Sequence, residues 1–197
     1  MFNQQQEGLG ARLRHHLALF GNLRAICLSG VLIAMSIVLG KFLQIPNPFQ
    51  QVLRISFENL PVLMAGITMG PFIGGAVGVV ADLLGCVLYG YSINPIVTLG
   101  ALAVGFVSGA VAHYAVRSPL AARVIAATTL AHLLGSVVIK TAGLAAWYLA
   151  RYEIGLGELM LWRLLNYLLI GTAECVLLFV LLRHRGLSQQ LERMLKK

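Results

Sequence analysis

Six apolar runs separated by short polar breaks dominate the chain, at about 24–43, 57–69, 72–89, 95–116, 120–149 and 159–182. A helix rises about 1.5 Å per residue, so about 20 apolar residues cross a hydrocarbon core of about 30 Å. Backbone polar groups inside lipid have to be satisfied within the segment, which makes such runs helices. The pattern therefore predicts an all-α integral membrane bundle of six transmembrane helices. The second run is short and contains Pro61, which predicts a helix that is tilted, broken or shielded by protein. The fifth is long enough to tilt strongly or to hold two pieces. A polar stretch with Pro46 and Pro48 separates the first two runs, and Gly70-Pro71 marks a tight turn after the second.

Composition agrees with burial in lipid. Of 197 residues, 58% are hydrophobic and 11% charged, against about 25% charged in soluble domains. The 21 glycines point to helix contacts made by small side chains, since lipid supplies no hydrophobic drive between helices and close approach replaces it. Gly30 and Ala34, then Gly74, Gly78, Ala81 and Gly85, then Gly105 and Gly109, each make a smooth face. A chain of this length holds one domain: a polar basic lead (1–23), the bundle (24–183) and a basic tail (184–197). The lead carries no cleavable signal pattern.

Charge sets the orientation. The net charge of +8 sits at segment ends, which argues against nucleic acid as partner. With six spans, Arg12, Arg14, Arg24, Arg117, Arg123, Arg183, Arg185, Arg193, Lys196 and Lys197 fall on one side, so that side and both termini are expected to be cytoplasmic. Lys41, Arg54 and Arg151 lie on the other. The outer loops, at about 41–57, 90–94 and 150–158, then converge over one mouth. Cys27, Cys86 and Cys175 are far apart in apolar runs and read as inert thiols, not as ligands of a metal.

Catalytic motifs are missing, including the glycine-rich loop ending in Gly-Lys-Ser/Thr. An enzyme is therefore not expected, no cofactor is called for, and energy for any transport has to come from an ion gradient or a partner. Ionisable groups inside membrane spans are costly and mark functional candidates, here Asp82, Lys140, Arg163 and Glu174. Ser136 and His132 follow Lys140 down one face of the fifth span, and Trp147 lies seven residues above it. Arg163, Asn166, Tyr167, Ile170 and Glu174 share one face of the sixth. Two cations, an amide and aromatics in the outer halves suit an anionic, partly flat organic ligand: cations pair carboxylates and rings stack. Plainer readings stand beside this one. Lys140 pairs internally with Asp82, Arg163 anchors at the interface, and Glu174 serves a helix contact or a partner. His132 and His113 are satisfied interior histidines, and Trp147 and Trp162 are belt residues.

The residues Arg54-Ile-Ser-Phe57-Glu58-Asn-Leu-Pro61, Ala65-Gly66, Gly70-Pro71, Gly74-Gly75, Gly78 and Asp82-Leu-Leu-Gly85 resemble the substrate-binding S component of energy-coupling factor (ECF) vitamin transporters. Asn94-Pro95, Thr98-Leu-Gly100, Arg163, Asn166 and Glu174 are similar to its folate branch. The resemblance covers residues 24–183. It implies six helices, a vitamin bound on the outer side of a bacterial cell membrane, and partners in an EcfT-type coupling protein and two cytoplasmic ATPases. It adds Arg54, Phe57, Glu58 and Asn94 to the expected vitamin contacts. Gly30 and Ala34 match the family's Ala-x-x-x-Ala coupling contact, with Gly for the first Ala. The 44–54 stretch becomes the lid, and delivery inward is by toppling of the whole subunit. Pantothenate or a deazapurine precursor is the alternative vitamin. A self-sufficient ion-coupled carrier is the alternative class, although the chain carries no internal repeat of the kind such carriers use.

Overall fold

In the computed structural model the apolar runs are helices, described over residues 9–42, 56–116, 119–145, 155–186, 189 and 191. Among the described residues the principal helices are α1 (Leu9–Ala18), α2 (Leu23–Phe42), α3 (Asn59–Met69), α4 (Pro71–Tyr89), α5 (Pro95–Ala115), α6 (Leu120–Ala145) and α7 (Leu156–Arg183). Local chemistry sets their ends. Pro71 and Pro95 occupy first-turn positions where no N–H is required. Gly90, at φ 69°, closes α4 in the left-handed conformation, and the Tyr91 N–H donates back to the Cys86 carbonyl at 2.9 Å. Asn94 caps α5 by accepting from the Ile96 N–H at 3.0 Å.

Five of these helices, α2, α4, α5, α6 and α7, are long and apolar enough to cross a membrane. The protein is a multi-pass integral membrane bundle. The second expected span is different. Its helix, α3, has 11 residues, about 16 Å of rise, half of what a span requires. Nine of those 11 residues are buried because α3 packs on α2, α4, α5, α6 and α7. It is the shielded helix its short run allowed for, and it sits at the centre of the bundle. Pro61 does not break it, lying in the first turn where the backbone N–H groups have no intrahelical partner.

Small residues let the central helices touch backbone to backbone. A Cβ on Gly74 would stand 2.5 Å from the Gly105 carbonyl oxygen and 2.5 Å from the Gly66 Cα. One on Gly109 would stand 2.5 Å from the Pro71 nitrogen. The outer faces are apolar and meet lipid, as on α7, where Leu168 and Leu169 are 67% and 65% exposed. The Gly30–Ala34 face of α2 is also exposed, and a Cβ on Gly30 would meet nothing within 4 Å.

Two helices depart from regular α geometry. The last turn of α5 (Val111–Ala115) and the middle of α6 (His132–Ile139) are π-helical, a form concentrated at functional sites. Arg123 of α6 covers the α5 irregularity, donating from Nε and Nη2 to the Ala112 carbonyl at 2.9 and 2.6 Å.

The basic lead is not wholly solvated. α1 folds onto the end of the bundle with His16 buried, its Nδ1 donating to the Met69 carbonyl at 3.2 Å. His16 also packs edge-on to His113 at 4.6 Å between centroids, and the His113 Nε2 donates to the Ile67 carbonyl at 3.0 Å. The turn between α3 and α4 makes this possible: Gly70 has φ 95°, and a Cβ there would lie 2.8 Å from the His16 Cγ. Gly70→Ala is therefore expected to lose about 1–3 kcal/mol of stability, because its backbone region is nearly exclusive to glycine and the added carbon displaces His16. A fall in melting temperature, with faster proteolysis near α1, is the measurement that checks it. Leu191, from the tail, is buried in the same apolar cluster as Leu19 and Leu182.

Candidate functional site

α7 turns one stripe inward. Leu159, Arg163, Asn166, Ile170, Glu174, Leu178 and Leu182 are all buried, at the spacing of three and four that defines one helix face. Four of these are apolar and three are polar, and Glu174 among the polar ones meets His132 in the π-helical part of α6. Lys140 and Arg163 stand toward one end of this seam and His132 and Glu174 toward the other. Eleven residues separate Arg163 from Glu174, about 16 Å along the helix.

The side chains form a continuous column. The Arg163 Cζ lies 5.9 Å from the centroid of the Tyr167 ring. The Tyr167 ring stacks on His132 with centroids 5.1 Å apart and planes 27° apart. The His132 Nε2 meets the Glu174 Oε2 at 2.5 Å, and its Nδ1 stands 3.3 Å from the Ser136 Oγ. Gly171 makes room for this ring, since a Cβ there would approach the His132 Cδ2 to 3.3 Å. Arg163 is 8% exposed, and among the described residues it has no carboxylate partner and its Nε no hydrogen bond. A buried cation left in that state is costly unless something negative joins it.

Lys140 is buried beside the column, its stem packed where Gly100 of α5 has no side chain. Its Nζ lies 3.5 Å from the Glu58 Oε1, and Tyr167, Asp82 and Arg163 are within electrostatic reach. Glu58 heads α3 and is itself placed by α2: the Ser36 hydroxyl donates to its carbonyl at 2.6 Å, and Gly40 lies against its Cβ. The expected internal pairing of Lys140 with Asp82 is thus replaced by one with Glu58. Asp82 is engaged elsewhere, accepting from the Thr98 hydroxyl at 2.7 Å, while Glu58 enters from the central helix.

Of the residues expected at the site, the structure brings Lys140, Arg163, Asn166, Tyr167 and Glu58 together around α6 and α7. Phe57 precedes Glu58 and is half-buried. Asn94 has both ends of its amide occupied, one capping α5 and the other donating to the Gly143 carbonyl at 2.7 Å. Arg54 and Trp147, with the rest of the 44–54 lid and Arg151, lie outside the described residues. Glu174 and His132, read singly as a helix contact and as a satisfied interior histidine, are partners of each other. The signal was their placement on inward stripes of α6 and α7; spacing along each helix does not say which residues of the two stand level. Among the described residues no three His, Cys, Asp or Glu side chains stand close enough to hold a metal ion. The arrangement suits an anion with a flat aromatic part.

Residues 24–183 match the family model described as the substrate-specific component of ECF transporters. The chain belongs to this family. ECF substrate-specific components are parts of transporters rather than enzymes. This S component is 38% identical over 58 residues to the folate transporter FolT of Clostridium novyi (strain NT), a stretch that covers 29% of the chain and 32% of that relative. The match therefore spans about a third of the relative's length. A crystal structure of FolT bound with folic acid is similar over 80% of this chain and 91% of its own, with a TM-score of 0.62 and 28% sequence identity.

Proposed function

We propose that this S component captures folate from the outer side of a bacterial cell membrane and delivers it inward by toppling. An EcfT-type coupling protein and two cytoplasmic ATPases supply the energy. In this reading both termini are cytoplasmic, and α3 is the sixth membrane element. The exposed Gly30–Ala34 face of α2 is where the coupling protein docks.

The observation that carries the reading is Arg163: a buried cation with an unsatisfied Nε, beside the Tyr167 ring and near a second buried cation. Folate has the complementary chemistry. Its pteridine and benzoyl rings stack on aromatic faces, and its glutamate tail carries carboxylates for Arg163 and Lys140. Asn166, Tyr167, Phe57, Glu58 and, beyond the described residues, Arg54 and Trp147 complete the contact set. Asn94 contributes by holding α5 against α6. Likeness to FolT bound with folic acid supports the choice of folate. Pantothenate, with one carboxylate and no ring, would leave one cation and the aromatic face unused.

Thermal denaturation of the detergent-purified protein tests the ligand. Folate at about 100 times its Kd stabilises the folded state by about 2.7 kcal/mol, seen as a raised melting temperature. Pantothenate at the same concentration is expected to leave the melting temperature unchanged. A folate titration without any shift would remove folate as the ligand.

A further inference from the structure

We infer that Glu174 and His132 are positioning residues for ligand binding, acting through the Tyr167 ring on the guanidinium of Arg163. The inference deepens the folate reading and rests on it. Neither residue bonds Lys140 or Glu58, and neither is open to a ligand arriving at Arg163: Glu174 is 0% exposed and His132 is 3% exposed. Both are nevertheless tied to Arg163 by an unbroken series of contacts. Glu174 holds one imidazole nitrogen, Ser136 stands by the other, and the ring so fixed carries Tyr167 on its face. Tyr167 in turn lies under the Arg163 guanidinium.

Stability alone does not account for Glu174. A carboxyl group in the middle of an apolar span loses its hydration, and one of its oxygens, Oε1, is buried with no hydrogen-bond partner among the described residues. Replacing such a buried polar pair by apolar side chains of similar volume is often neutral or stabilising. What the carboxylate supplies instead is direction. It sets the rotation of the His132 ring, which fixes the plane on which Tyr167 rests. A guanidinium binds a carboxylate well only when its plane is aligned with it. Among the described residues the titratable groups facing the pair are Lys140 from α6, Glu58 from α3 and Tyr167 from α7, with Arg163 beyond the Tyr167 ring.

The test is Glu174→Met, measured for both melting temperature and folate affinity. The ligand-free variant leaves the His132 Nε2 unpaired and is expected to melt somewhat below wild type, while its folate Kd rises about tenfold or more. Glu174→Gln, which keeps an acceptor for the imidazole, is expected to restore affinity to within about threefold of wild type. In an Arg163→Gln background, Glu174→Met should add less than about threefold, because the group it positions is gone. His132→Leu, which cuts the same column one step later, is expected to match the loss in Glu174→Met. Wild-type affinity in Glu174→Met or His132→Leu overturns the inference, as does a full additional loss in the Arg163→Gln background. A lowered melting temperature with unchanged affinity would assign the pair to structure only. If the wild-type protein itself does not bind folate, the function proposed above fails first, a result distinguishable from variants that bind as well as wild type.

Discussion

Arg163→Gln is expected to weaken folate binding about 10- to 100-fold without destabilising the empty protein. The magnitude follows from the charge-assisted hydrogen bonds that a buried guanidinium makes to a carboxylate, about 1.5–3 kcal/mol. The direction of the stability effect follows from burial. In the empty protein Arg163 has lost its water, and its Nε has no replacement, so removing the charge relieves a cost instead of adding one. Lys140→Ala should lose less affinity, because Lys140 is already paired with Glu58 at 3.5 Å and a ligand carboxylate has to share it. Titration calorimetry gives the affinities and scanning fluorimetry the stabilities. Equal affinity in Arg163→Gln and wild type would place the ligand away from the column.

Gly74→Leu is expected to abolish the folded bundle. Its Cβ alone would enter the space of two neighbouring backbones, the Gly105 carbonyl on α5 and the Gly66 Cα on α3. Overpacking a core costs about 1–3 kcal/mol where side chains are able to give way. Here the obstruction is main chain on two helices, so the loss should exceed about 3 kcal/mol. Gly30→Leu is the matched control, since nothing lies within 4 Å of that position and stability should not change. Size-exclusion profiles and melting curves in detergent distinguish the two. A monodisperse, wild-type-like Gly74→Leu would mean that α3, α4 and α5 do not meet at their glycines.

The membrane class and helix positions were legible because apolar runs of span length have few physical alternatives. The family was legible in local motifs, Gly70-Pro71 and the segment around Glu58 among them. Half of the site could also be read, since Arg163, Asn166, Tyr167 and Glu174 repeat at helical spacing and three of the four are buried on one face. The rest depended on geometry that spacing does not carry. His132, Ser136 and Lys140 keep one buried face of α6, as their spacing of four implies, but that His132 meets Glu174 depends on how α6 and α7 stand in height, which no count along one helix carries. Lys140 found Glu58 instead of Asp82 because α3 runs through the centre, and a short apolar run does not announce that it is enclosed on all sides. The docking of α1 through His16 likewise depended on a positive φ at Gly70, which Gly-Pro permits without requiring.

The enclosure of α3 has a consequence for how access to the column changes. A rod gripped by five neighbours, with its backbone at Gly66 against those of α4 and α5, ties the described helices on either side of it together. Rocking of two lobes about a fixed centre, the ordinary device of carriers, would have to break that central packing. The toppling proposed above asks for such a body, one that moves as a unit.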